Sequence, residues 1–219
     1  MSEFIAKQVV RTERNHMESK AYIKPPARIP FLIKLGILVS KKVTKKDLLA
    51  PKLLAWYPKV AFSSGVLEAL VAHGKNDLNG RILKMVRIRA SACVACPFCL
   101  DMNSHDYQKE GITPEEIHAI TGATPLSDIT SFTEKEILAV QYASLISATP
   151  VEMPSEFIEK LKSTFSEREI VILSSTAAQV NYWARMLVSL GVPPAGFSDS
   201  CDIGNRPAEK PVKIERKPI

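Results

Sequence analysis

Through the body of the chain, apolar side chains recur every three or four positions rather than every second one. Ile137, Leu138, Val140, Ala143, Leu145 and Ile146 form one such stripe, and Phe157, Ile158, Leu161 and Phe165 form another, the spacing that keeps side chains on one face of a helix. Alternating β-branched runs are few, and no Asn-Gly pair joins two apolar strands. Helix starts are written in capping chemistry. Thr113-Pro114-Glu115-Glu116 places a cap, a first-turn proline and a third-position carboxylate in order. Thr133 with Glu136 and Ser166 with Glu169 repeat that spacing, and Pro154-Ser155-Glu156 opens a helix between them. Gly111 and Gly191 stand where helices should stop, Asn79-Gly80 reads as another helix end, and residues 100–110 read as one continuous helix. The pattern predicts an all-α fold of roughly seven or eight helices. Residues 83–100 and 168–185 share a charged start, an apolar run, a small-residue step and an aromatic, which is compatible with an internal helical repeat.

With 219 residues, 46% apolar and 24% charged, the chain is large enough for a core without staples; bulk disorder and a multi-span membrane protein are excluded. The net charge of +6 resolves along the chain. Residues 1–46 hold eleven Lys and Arg against three Glu, and residues 206–219 hold five against two. Subtraction leaves 13 basic and 18 acidic residues, a charge of −5, for residues 47–205. Three parts follow: a basic N-terminal arm over 1–46 containing Pro25, Pro26 and Pro30, a helical domain over 47–205, and a basic tail over 206–219. The arm reads as extended and ends in a short apolar anchor that needs a partner surface. No helix is lined with Arg and no strand is studded with aromatics, so no nucleic-acid partner is expected. The most apolar run, residues 29–39, is interrupted by Lys34 and falls short of the roughly 20 residues a bilayer needs, so no membrane partner is expected either. The N-terminal residues lack the apolar stretch of a secretory signal, which points to a reducing cytoplasm.

Three of the four cysteines, Cys93, Cys96 and Cys99, fall within seven residues. A C-x-x-C pair at a helix start brings two sulfurs into disulfide range, and the unpaired N–H groups there favour thiolate over thiol. One thiolate can then act as nucleophile and the second thiol can resolve the product. Two other readings stay open at this point. The C-x-x-C-x-x-C spacing resembles the start of an iron–sulfur run without its fourth ligand, and a zinc site could draw on Cys96, Cys99, His105 and His118. The third reading makes the cysteines small buried apolar residues, most plausibly Cys93. Asp101 reads as facing away from the thiols, since an inward acid would raise their pKa. His16 and His118 read as surface residues and His73 as structural near a helix end. Arg87 or Arg89 is a candidate anion or thiolate partner, and Tyr182 and Trp183 read as core or interface.

From residue 48 to about 200 the sequence resembles the carboxymuconolactone decarboxylase superfamily, within it the longer alkylhydroperoxidase-D-like, peroxidase-related proteins. The likeness rests on CPFCLDMNS and the Gly111 turn with Thr113-Pro114-Glu115-Glu116-Ile117. It extends to Thr133 to Ala143, Phe165 to Ile172, and Asn181 to Arg185. It implies an all-α alkylhydroperoxidase-like domain that forms homo-oligomers, reduces a hydroperoxide substrate with its Cys pair, is reset by a dithiol electron donor, and needs no cofactor or metal. It further implies Cys99 as the attacking and Cys96 as the resolving thiol. Lys84 and Asn103 stand where the family's peroxidases carry the Glu and His of a proton relay, and neither is an ordinary general base. Three outcomes follow. Lys84 holds Cys99 as a thiolate by charge, His105 takes over as base, or peroxidase turnover is lost. At about 100° per residue, His105 lies about 240° round a continuous helix from Cys99 and Asn103 about 40°, which places His105 on another face. Two alternatives to the peroxidase accompany it, a non-catalytic or redox-sensing helical oligomer and a lactone decarboxylase, the latter leaving both sulfurs idle.

Overall fold

The computed structural model describes residues 21–71, 73–74 and 76–198, so His16, Cys201 and the basic tail lie outside it. Nine α-helices are present among the described residues: α1 Phe31–Thr44, α2 Leu49–Leu54, α3 Pro58–Leu70, α4 Gly80–Cys93, α5 Pro97–Ser104, α6 Pro114–Thr121, α7 Glu134–Ser147, α8 Ser155–Thr164 and α9 Glu167–Ser189. Short 3-10 turns occupy Tyr107–Glu110 and Leu126–Asp128. The all-α expectation is met, and no described helix is long and apolar enough to cross a membrane.

Side-chain caps mark five of the nine described helix starts. Thr113, Thr133 and Ser166 each accept a hydrogen bond from the backbone N–H three residues on, and Glu116, Glu136 and Glu169 reach back to the cap's own N–H. Gly191, at φ 66°, ends α9 in the left-handed conformation that glycine adopts without cost. Two expectations are corrected. Asn79-Gly80 begins a helix instead of ending one, because the Asn79 side chain accepts from the Arg81 N–H and so caps α4. The segment read as an extended arm holds α1, a fourteen-residue helix, after the last of its prolines. Phe31, Leu32, Leu35, Leu38, Val39 and Val43 on α1 are all exposed.

Helix α4 is the centre of the molecule, with Ile82, Leu83, Met85, Val86, Ile88 and Ala90 all buried. Leu83 and Val86 pack with Leu138 and Tyr142 of α7 and with Leu173 and Ala177 of α9. Met85 and Ile88 pack with Ile117 and Ile120 of α6 and with Val140 of α7. A third cluster joins Leu53 of α2, Cys96, Phe98 and Cys99 near α5, and Ala184 and Leu187 of α9. The two similar segments fall on α4 with the start of α5 and on α9, and they part where the chemistry lies. Helix α9 runs unbroken for 23 residues, whereas α4 stops at Cys93. Asn181, in the register of Cys96, is buried mid-helix and donates to Ser147 Oγ and the Ala177 carbonyl.

Arg81 fastens three helices together. Its Nε donates to Glu136 Oε1 at 2.6 Å, its Nη2 to Glu116 Oε1 at 2.7 Å, and its Nη1 to the Gly111 carbonyl. Both glutamates are the buried third-position acids of capping boxes. Each uses Oε2 to cap its own helix and Oε1 to hold the guanidinium. Burial pushes the Glu116 carboxyl up, but hydrogen bonds from Arg81, Ser131 and Thr113 outweigh it and hold it below its ordinary value. Glu136 is held down in the same way, with Thr133 and Arg81 overcoming burial.

Tyr182 is exposed, while Trp183 is partly buried and packs against the third cluster, and both make polar contacts between α9 and α3. Tyr182 Oη pairs with Ser64 Oγ at 2.7 Å, and Trp183 Nε1 donates to Glu68 Oε2 at 2.9 Å.

Candidate functional site

The cysteine pair sits on the turn that breaks α4 from α5. After Cys93 the chain passes Val94 and then Ala95, whose φ of 51° is left-handed without being glycine. That reversal leaves Cys96 as the N-cap of α5, with Pro97 in the first helical position. The Cys99 N–H donates to Cys96 Sγ at 3.2 Å, so the sulfur occupies the place of an ordinary capping oxygen. Both thiols are free, and only 1% of Cys96 and 2% of Cys99 is exposed.

The turn treats the two sulfurs unequally. A hydrogen bond from the Cys99 thiol, then the N–H groups of Cys99 and Phe98, pull the Cys96 thiol down against the opposing effect of burial. Cys99 is pushed far up by its bond to Cys96, by burial and by the neighbouring negative charge. A negative charge is thus better held at Cys96, at the helix cap, than at Cys99.

The three remaining predicted residues do not converge on the sulfurs. Asn103 Nδ2 donates to Ser91 Oγ at 2.9 Å, and Ser91 Oγ donates to the Arg87 carbonyl, which bolts α5 to α4. Helix α5 ends at Ser104, whose hydroxyl bonds back to the Leu100 carbonyl, and Asp106 turns left-handed at φ 56°. The continuous helix expected over 100–110 is thus an α-helix and a 3-10 turn with a break between them. His105 lies in that break, half-exposed, with Nε2 3.3 Å from the Asp106 carboxylate. The Lys84 ammonium donates to the His105 carbonyl. The zinc alternative also fails, since no three ligand-type side chains gather among the described residues.

Lys84 and His105 instead line a cleft of about 400 Å³ between α4 and the 102–110 segment, with His73, Leu83, Arg87 and Met102. Burial, then the charge of Arg87, lowers the Lys84 pKa to about 8. Arg87 Nη2 donates to the His73 carbonyl at 3.2 Å, and His73 Nε2 pairs with Ser175 Oγ at 2.8 Å. Of the two candidate arginines Arg87 faces this cleft, while Arg89 is spent on Ser144 and the Ile120 carbonyl. Met102 connects the two places, lining the cleft and packing against the cluster that holds both sulfurs. Sequence reasoning missed Met102 and set His73 aside. The available signal was spacing: Lys84 and Arg87 lie three residues apart on one helix face, and Met102 lies one turn beyond Cys99.

A strap closes over the thiols. Val192 and Ala195 pack on the cysteine cluster, and Asp101 anchors the chain beyond them. Asp101 is 3% exposed, and its carboxylate accepts from the Ala195 N–H at 2.8 Å, the Ser198 N–H at 2.9 Å and the Ser198 hydroxyl at 3.2 Å. The acid does turn away from the sulfurs, into a buried clamp and not into solvent. Asp101→Ala should leave those donors without their acceptor at a cost of about 1–3 kcal/mol. Alkylation of the cysteines by iodoacetamide should then run at least about tenfold faster, as the local opening that exposes them becomes cheaper. An unchanged alkylation rate in a folded variant would mean that the strap does not control access.

No protein-family model matches the chain. It is 24% identical to the Bacillus subtilis (strain 168) protein YdfG over 118 residues, which is 53% of this chain and 78% of YdfG. Among solved structures it resembles the alkylhydroperoxidase AhpD core of a peroxidase-related protein from Ralstonia eutropha JMP134, with a TM-score of 0.64 and 16% identity over 84% of this chain and 94% of that one. It also resembles the debrominase Bmp8, with a TM-score of 0.69 and 14% identity over 83% of this chain and 97% of that one. The chain therefore has the all-helical fold of AhpD-like, peroxidase-related proteins.

Proposed function

We propose that this protein is a thiol-dependent hydroperoxide reductase in which Cys96 attacks and Cys99 resolves. The observation that carries the reading is the Cys96 sulfur at the N-cap of α5, accepting the Cys99 N–H. Among the described residues the two candidate relay residues do not serve Cys99, because Asn103 donates to Ser91 and His105 lies beyond the helix end. In the cycle, the Cys96 thiolate attacks the terminal peroxide oxygen, the O–O bond breaks, and the leaving alkoxide takes from water the proton that Cys96 lost on ionising and departs as the alcohol. Cys96 becomes a sulfenic acid. The Cys99 sulfur then attacks it, forming the disulfide and expelling water. Two thiols and one hydroperoxide give one disulfide, one alcohol and one water, and an external dithiol restores the pair by exchange. The likeness in fold to an AhpD core supports the reaction class. The likeness to a debrominase marks how varied the chemistry on this fold is.

The test is sustained consumption of tert-butyl hydroperoxide by the reduced protein in excess dithiothreitol, measured against a protein-free blank. Many turnovers per protein are expected, and a rate equal to the blank would overturn the proposal. Burial of both sulfurs favours one competing reading, a redox-sensing helical protein. That reading predicts slow loss of two thiols per chain to added peroxide with no turnover.

A further inference from the structure

We infer that the cleft beside α4 binds a small organic carboxylate, with the carboxylate held between Lys84 and Arg87 and the apolar tail against Leu83 and Met102. Both cations are half-buried. Each gives a hydrogen bond to a backbone carbonyl, Lys84 to His105 and Arg87 to His73. Among the described residues, neither has a carboxylate within ion-pair distance. The acids nearby favour the charged forms only from beyond ion-pair distance, Asp106 and Glu110 acting on Lys84 and Glu68 on Arg87. Asp106 is committed to Lys109 at 2.6 Å, Glu110 stands at the rim, and Glu68 accepts from Gln179 and Trp183.

Two like charges three residues apart on one helix face repel each other, and drawing them part-way out of water with carboxylates only beyond ion-pair distance is unfavourable. The protein keeps both of them at a cavity of about 400 Å³, within the range of small-molecule sites. An anion supplied from outside answers both charges at once, since the guanidinium offers a fork and the ammonium a point charge to one carboxylate. Leu83 and Met102 on the wall favour an anion with an apolar tail over a bare inorganic one. Because Met102 also packs against the cluster that holds both cysteines, the tail end of such an acid lies toward the thiol pair. The site thus deepens the proposed function by naming its substrate class as a small hydroperoxide that carries a carboxylate, and in that respect it rests on that proposal.

The experiment is calorimetric titration at pH 7 of the Cys96→Ser protein, which has lost thiol chemistry, with hexanoate, with hexanamide and with inorganic phosphate. Hexanoate should bind at least about tenfold more tightly than its neutral amide, and more tightly than phosphate. Lys84→Met should abolish that preference and Lys84→Arg should keep it, with melting temperatures confirming that both variants are folded. Raising the pH through 8 should weaken hexanoate binding in the lysine protein and not in the arginine one. The groups facing Lys84 are Arg87 on its own helix, His73 before it, and His105, Asp106, Lys109 and Glu110 opposite. Among the titratable ones, the arginine variant separates the lysine from the rest. Equal binding of hexanamide, stronger binding of phosphate, no binding at all, or a preference that survives Lys84→Met would overturn the inference. Because no thiol takes part, failure of peroxide turnover leaves this result standing, and failure here leaves the thiol cycle standing.

Discussion

Cys96→Ser should erase the early thiolate titration and reduce peroxide consumption to the blank, whereas Cys99→Ser should keep the thiolate and stop after one oxidation. The cause lies in the turn. Cys96 Sγ accepts from the first-turn N–H groups of α5, where a negative charge meets both the unpaired donors and the positive end of the helix. Cys99 lies inside that turn, buried in one cluster with Phe98 and Ala184, and its thiol is pushed up by the neighbouring sulfur and by burial. A serine at 99 still has a hydroxyl to donate to Cys96, so the charge survives. The measurement is ultraviolet thiolate absorbance against pH for wild type and both variants, followed by one equivalent of peroxide and a count of remaining thiols. Wild type should lose two thiols. Cys99→Ser should lose one and yield a sulfenic acid trapped by dimedone, while Cys96→Ser should lose none on the same timescale. The mirror result, with the early titration and the trapped acid belonging to Cys99, would restore the order implied by family resemblance.

Arg81→Met should be the most destabilising single change in the helical body. Methionine keeps much of the apolar stem but leaves two buried carboxylates, Glu116 and Glu136, without their shared cation. Removing one partner of a buried ion pair costs about 3–5 kcal/mol, and in a domain of this size each kcal/mol shifts the melting temperature by about 2–4 °C. A loss of at least roughly 6 °C at pH 7 follows. The pH dependence adds an independent signature. Both carboxyls are depressed in the folded protein, so their contribution is complete above the unfolded carboxylate value of about 4.3 and is lost as the pH falls through the folded values. Wild type should weaken steadily in that acid window, and the variant should have less to lose there. Thermal melts from pH 7 down to pH 3 measure both. A variant melting within two degrees of wild type, with a parallel acid limb, would show that the cluster is not holding the helices together.

What could be read from the sequence follows the range of the interactions. Capping boxes act over three residues, so Thr113 with Glu116, Thr133 with Glu136 and Ser166 with Glu169 announced α6, α7 and α9 directly. Asn79-Gly80 misled because asparagine caps a helix start as readily as an Asn-Gly pair marks an end, and only the Asn79-to-Arg81 bond decides between them. The C-x-x-C pair was legible for the same local reason. Its charge distribution was not, since it depends on Cys96 occupying the cap. His105 was placed by an ideal helix that in fact stops one residue earlier. The Arg81 cluster spans 35 and 55 residues of chain, and the cleft joins the 73–74 segment to the 105–110 segment across α4. Neither leaves a periodic trace in the sequence.

Ala95 gives the reactive turn a further property. Its left-handed backbone holds a methyl group where glycine would sit more easily, at a cost of about 1 kcal/mol or more. That strain is borne by the residue immediately before the Cys96 sulfur. Relaxing it with glycine would harden the protein against heat while giving the chain leading into the sulfur a wider choice of directions. Thermal endurance and aim are thus set against each other at one position, and the chain keeps the tension that favours aim.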